Sequence, residues 1–192
     1  MSLLLTVSFV VLAVFGRMLI QWLNTGDIGL RFAKSDAPLL EKLPGVTFVM
    51  SFCIALGLVA AQYLGYLQPV LALPSGLLYL ALVTGFVGIA IVIIAQIQMG
   101  TAWRIGVDQK EATTLITTGL YAKSRNPIYF GIKLYWIAMM VLFAHPALWA
   151  CAVMCWVSVE LIVRKIEEPY LQRMHGQAFS DYCKTARRYT PL

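Results

Sequence analysis

Residues 127–163 read PIYFGIKLYWIAMMVLFAHPALWACAVMCWVSVELIV. Two apolar runs are separated only by His145-Pro146. Each run is far longer than an ordinary strand, and neither alternates polar with apolar, so both read as helices. A connection this short forces them antiparallel, giving a helical hairpin. Pro127 suits the first position of the leading helix, where its missing N–H costs nothing. The expected spans are 127–144 and 147 to about 163, each close to the length that crosses a bilayer.

Working towards the N-terminus, three more apolar runs appear, at 3–23, 46–67 and 75–98. The first lacks a basic leader and a small-residue cleavage site, so it is expected to be a retained helix rather than a signal peptide. Gly85 and Gly88 in the third allow close helix contact. Between the runs lie a turn-rich stretch, 24–44, and a turn marked by Gln68, Pro69 and Pro74. The longest polar stretch, 99–126, precedes the hairpin. No internal repeat or second domain is apparent.

The composition agrees. Of 192 residues, 60% are hydrophobic and 12% charged, with mean hydropathy +0.76. That charged fraction is about half the soluble average, which excludes a soluble globule, and the hydrophobicity excludes disorder. The expectation is an all-α, polytopic integral membrane bundle of about five transmembrane helices. It forms a single domain, 1–192. Residues 1–98 supply three N-terminal spans, and 99–192 supply a loop, the hairpin and a polar C-terminal segment that is helical to near Tyr182.

The net charge of +6 would suggest nucleic acid in a soluble chain. Here it reads as topology. Arg31, Lys34 and Lys42 lie in the first loop, and Arg104, Lys110, Lys123 and Arg125 in the third. Arg164, Lys165, Arg173, Lys184, Arg187 and Arg188 lie in the tail. Arg17 and Lys133 sit at span ends beside these regions, where Arg17 is expected to snorkel to the headgroups. The positive-inside rule puts the basic side, including the C-terminus, in the cytoplasm and the N-terminus outside. In a prokaryote the membrane would be the inner one. Cys53, Cys151, Cys155 and Cys183 form no CxxC pair and read as buried small hydrophobes. With only His145 and His175 besides, neither a metal nor a nucleic acid is expected as a partner.

Polar residues of special character collect near the basic side. Glu160 falls within an apolar run, where a carboxylate is expensive unless paired. Glu160, Arg164 and Glu168 are spaced i, i+4 and share one face if the last helix continues. Each alone has an ordinary reading, as a helix-end ion pair, a solvated face or interfacial aromatics. Their order along the chain is more specific.

The segment TTLITTGLYAKSRNPIYFG, 113–131, resembles the core motif of the isoprenylcysteine carboxyl methyltransferase and phospholipid methyltransferase superfamily. The tail EEPYLQRMHGQAFSDYCKTARRYTP, 167–191, is similar to that superfamily's second block, which ends in a basic, aromatic, proline run. The likeness covers about the C-terminal half, with the hairpin between the blocks. It implies an integral membrane enzyme that uses S-adenosyl-L-methionine without a Rossmann domain, and no glycine-rich dinucleotide loop is present. By position, Thr113, Thr114, Leu115, Ile116, Gly119, Tyr121, Arg125, Asn126, Pro127, Ile128, Tyr129, Glu167 and Glu168 would line the cofactor pocket. Arg164, Glu168 and Arg104 would be the catalytic group, with the arginines directed to an anionic acceptor. Many carboxyl methyltransferases carry histidine where this chain has Asn126, which hydrogen-bonds but does not titrate. The implied acceptor is lipid-like or prenylated, one possibility being an isoprenylcysteine-type carboxylate. A small transporter or channel subunit, or a non-catalytic scaffold of the same fold, are the alternatives.

Overall fold

A computed structural model describes residues 1–28, 39–100, 103 and 114–190. The described residues form helices and no named strand. Helix α1 spans Ser2–Thr25, α2 Leu39–Tyr63 and α3 Ser75–Met99. The hairpin follows as α4, Pro127–Phe143, and α5, Pro146–His175, with a short α6, Gln177–Thr185. Among the described residues, four helices are long and apolar enough to cross a membrane: Ser2–Thr25, Lys42–Tyr63, Ser75–Met99 and Pro146–His175.

Helix α4 ends within one residue of the expected Ala144 and is shorter than the other apolar helices. Its 17 residues extend about 25 Å at 1.5 Å each, against a hydrocarbon core of about 30 Å. It is also the best-shielded helix, with Trp136, Ala138, Met139 and Phe143 fully buried. Ala144 ends it in the left-handed region, at φ 48°. In the hairpin turn His145 Nδ1 accepts a 3.2 Å bond from the Ala147 N–H, capping α5.

Three other boundaries differ from the expected ones, the first being the start of α2, at Leu39 rather than Val46. Helix α2 stops at Tyr63 rather than Leu67. Gly65 adopts φ +83°, and the Tyr66 N–H returns to the Ala61 carbonyl at 2.9 Å, a C-terminal motif that only a residue tolerant of positive φ can close. Helix α5 continues well beyond Val163, to His175, through a π-helical segment at Ile162–Glu167.

The glycines of α3 and α4 set the tightest contact in the bundle. A Cβ on Gly88 would lie 2.6 Å from the Gly131 carbonyl oxygen, and one on Gly131 would lie 2.6 Å from that of Gly88. The two backbones touch, as small residues permit in membranes. Helix α2 packs along α5, and Phe9, Phe52, Tyr135 and Trp136 fill the centre with stacked and edge-on rings.

Two sequence expectations are corrected here. Cys53 is exposed, whereas Cys151 and Cys155 are buried and Cys183 half-buried. Arg17 does not snorkel: it is 3% exposed. One Nη donates to Gln21 Oε1 at 2.9 Å and to the Gly100 carbonyl. The guanidinium also lies 4.8 Å from the Trp103 ring centre. The carbonyl at the end of α3 and the aromatic face supply partners inside the protein, so the side chain turns inward.

Candidate active site

The loop before α4 and the chain after α5 are laced together. Gly119 begins a 3-10 turn, Gly119–Ala122, at φ +63°. A Cβ there would overlap the Gln98 amide, whose Oε1 accepts the Leu120 N–H at 2.8 Å. Glycine is favoured here by its backbone angle, and any side chain would also push aside the Gln98 amide that holds Leu120. The turn hangs from the end of α3, and Tyr121 is buried beneath it, its hydroxyl directed to the Ala95 carbonyl at 3.4 Å.

From Lys123 onward the C-terminal segment lies beside this loop. Ser124 and Arg187 form a parallel bridge, with Arg125 N–H to Arg187 O at 2.8 Å and Arg187 N–H to Lys123 O at 3.0 Å. Ser124 Oγ donates to the Tyr189 carbonyl at 2.7 Å, and Asn126 Nδ2 to that of Arg188 at 3.0 Å. The Tyr182 hydroxyl donates to the Tyr121 carbonyl at 2.6 Å. Burial pushes the Tyr182 phenol up to about 12 and raises Tyr121 above the usual tyrosine range.

Glu168 is the centre of this lacing. It accepts Arg125 Nη2 at 2.9 Å, Arg188 Nε at 2.9 Å and Arg188 Nη2 at 2.9 Å. These bonds raise the Arg188 pKa. A second Arg125 nitrogen, Nη1, donates to the Ala186 carbonyl at 2.6 Å. Glu168 thus joins the loop to the tail. The neighbouring Glu167 points elsewhere, accepting the Tyr129 hydroxyl at 2.7 Å on Oε1. Its other oxygen is unbonded among the described residues. Pro127 is fully buried at the start of α4, and Ile128 and Tyr129 pack against the main core.

The expected single face of Glu160, Arg164 and Glu168 is split. Glu160 pairs with Arg164 at 2.7 Å and with Lys133 at 3.2 Å, so the carboxylate in the apolar run is neutralised. Glu168 pairs with neither. The π-helical segment between them bonds i to i+5 and re-aims every residue after it. The two groups are linked through Tyr189: the Lys133 ammonium lies 3.6 Å from the centre of its ring. Burial and the nearby Glu160 carboxylate raise the Tyr189 phenol pKa, while its buried oxygen lacks a well-formed hydrogen bond. A groove of about 440 Å³ runs from this cluster between α4 and α5, lined by Lys133, Ile137, Trp156, Val157, Glu160 and Leu161.

Of the other expected residues, Arg104 and Thr113 lie outside the described residues. Thr114–Ile116 form no regular secondary structure. Leu115 packs on Phe179, Tyr182 and Ala186, and the 114–117 backbone makes no hydrogen bond among the described residues. Lys133, Arg188 and Tyr189 were not singled out as site residues, although the basic-aromatic run of the tail, RRYTP, contains the last two.

The donor set suits a sulfonium amino-acid nucleoside. Free peptide groups at 114–117 and an unbonded Glu167 oxygen match its carboxylate, ammonium and hydroxyls. A family model described as phospholipid methyltransferase matches residues 76–178, more than half of the chain, including the loop before α4 and Glu168 but not the tail residues 182–189. Among curated proteins, none matches.

Proposed function

Because the chain belongs to the phospholipid methyltransferase family, we propose that it transfers a methyl group from S-adenosyl-L-methionine to a lipid-like, membrane-associated acceptor. An isoprenylcysteine-type carboxylate is one such acceptor. The observation that carries this reading is the joining of the two motif blocks by Glu168, Arg125 and Arg188 at one end of the bundle.

The cofactor, when bound, supplies an electrophilic methyl on a positively charged sulfur. The protein's work is then to hold donor and acceptor in line. Glu167, with one oxygen already fixed by Tyr129, offers the other to an ammonium or ribose hydroxyl. The 114–117 peptide groups bind the carboxylate or adenine edge. Glu168 acts here mainly by holding Arg125 and Arg188 in place. Asn126 holds the tail, through the Arg188 carbonyl, without needing to titrate.

The acceptor reaches this end from the bilayer along the α4–α5 groove, with its head beside Lys133 and Arg164. Glu160 is shared by these two cations, which leaves an excess positive charge for an anionic head. The basic end of the bundle faces the cytoplasm on this reading.

Calorimetric titration of the protein in nanodiscs with S-adenosyl-L-methionine tests the cofactor assignment directly. Saturable binding near one equivalent is expected. Glu168→Ala and Arg164→Ala are each expected to abolish methyl transfer from radiolabelled cofactor while the protein still inserts. No saturable binding, or normal turnover in both variants, would sink the proposal.

A further inference from the structure

A second groove lies between α2 and α5, with a volume of about 750 Å³. Its walls are graded along the helices. Met154, Val157 and Leu161 of α5 face Leu43 and Pro44 of α2, and Lys165 and Arg173 stand at the far end. A single polar point lies among the apolar groups, where the Thr47 and Ser158 hydroxyls meet at 2.7 Å. One hydroxyl donates to the other and the second donates to a backbone carbonyl of its own helix, so this point makes no demand on a ligand.

Lys165 and Arg173 are exposed and have no acidic partner among the described residues. Two nearby arginines differ in having an acidic partner: Arg164 pairs with Glu160, and Arg188 of the tail pairs with Glu168. Two cations without a counter-charge among the described residues therefore stand at one end of a long apolar trough, at the end of a membrane span. The matching ligand is an amphiphile of opposite charge, with hydrocarbon along Met154–Leu161 and an anionic head at Lys165 and Arg173. In a bilayer that description is met by an anionic phospholipid lying parallel to α5.

We propose that the α2–α5 groove is a binding site for one anionic phospholipid, on the face of α5 turned to α2, sharing only Val157 and Leu161 with the α4–α5 groove. The headgroup phosphate is held by Lys165 and Arg173, and an acyl chain covers the exposed faces of Val157 and Leu161. Near a membrane surface each such cation favours an anionic lipid about fivefold, so the pair gives about thirtyfold selectivity over a zwitterionic lipid.

The full-length protein in a neutral detergent, titrated with phosphatidylglycerol or phosphatidylcholine of identical acyl chains, tests this by native mass spectrometry. One tightly retained phosphatidylglycerol is expected, with phosphatidylcholine bound about thirtyfold more weakly. The double variant Lys165→Gln/Arg173→Gln should lower phosphatidylglycerol retention to the phosphatidylcholine level. Lys123→Gln/Lys184→Gln, equal in charge change but remote from the groove, should leave it intact. A filling substitution at a residue that lines this groove and not the α4–α5 one, Leu43→Trp, should reduce retention of both lipids. Equal retention of the two lipids by the unaltered protein, or an equal loss in both double variants, would show general surface attraction and overturn the site.

Discussion

Arg188 grips Glu168 with two parallel bonds, Nε to Oε1 and Nη2 to Oε2, each 2.9 Å long. The fork geometry matches a carboxylate as no lysine would. Arg125, only 11% exposed, enters the same carboxylate from the loop. Removing Glu168 leaves both guanidiniums without a counter-charge. Breaking such a pair costs about 3 kcal/mol, the low end for buried pairs, since Glu168 keeps some contact with solvent. The Glu168→Ala protein is thus expected to melt lower and to be cut by trypsin at Arg187 and Arg188 much faster than the parent. Unchanged cleavage would argue against the clamp.

Glu168→Gln separates clamping from charge. The amide keeps the shape and can still accept from one arginine, but loses the ionic component. Tail protection against trypsin should be intermediate, while Arg188→Lys, which lacks the planar fork, should resemble the alanine variant. If Arg188→Lys protects the tail as well as arginine does, the bidentate geometry is irrelevant to the clamp.

Gly119 offers a test of the loop that hangs from α3. Alanine there must hold φ +63°, which costs about 1–2 kcal/mol for an L-residue, and its Cβ overlaps Gln98. Gly119→Ala should lower the melting temperature by several degrees and weaken S-adenosyl-L-methionine binding in calorimetry. Gly57→Ala, where a Cβ meets open space, serves as the control. Equal effects at the two positions would remove the argument for Gly119.

The apolar helices and the hairpin were legible in the sequence because length and hydropathy determine them directly. Glu160 was legible as a paired group because an isolated carboxylate is so costly in a bilayer. The face shared by Glu160, Arg164 and Glu168 was not, since a π-helical turn leaves no mark in the residue spacing yet rotates everything beyond it. The inward turn of Arg17 is hidden in the sequence for a related reason. Its partners, the Gly100 carbonyl and the Trp103 ring, lie far off in the chain and only folding brings them together. The roles of Arg125 and Asn126 as ties to the tail likewise depend on long-range pairing.

The contact between Gly88 and Gly131 carries a prediction about the membrane core. A methyl group on either glycine would sit 2.6 Å from the facing carbonyl, well inside contact distance, so α3 and α4 must separate. Overpacking of this kind costs about 1–3 kcal/mol. Gly88→Ala and Gly131→Ala should each lower thermal stability in mild detergent. The double variant should cost less than their sum, since the first separation makes room for the second methyl. Full additivity would place the two glycines in independent environments.

Tyr182 gives the pH dependence. Its hydroxyl is buried and donates to the Tyr121 carbonyl, and its pKa in the fold is about 12 against 10.0 ordinarily. A raised folded-state value means that the protonated phenol favours the fold. The contribution is complete below pH 10 and is lost as pH rises through 12. Tyr182→Phe removes that contribution at every pH, together with a hydrogen bond worth about 1 kcal/mol. Melting temperatures measured from pH 8 to 12 should therefore show the variant below the parent at pH 8. The gap should narrow between pH 10 and 12, because only the parent has this group left to ionise. A gap that stays constant to pH 12 would mean that the Tyr182 proton is not tied to the joining of loop and tail.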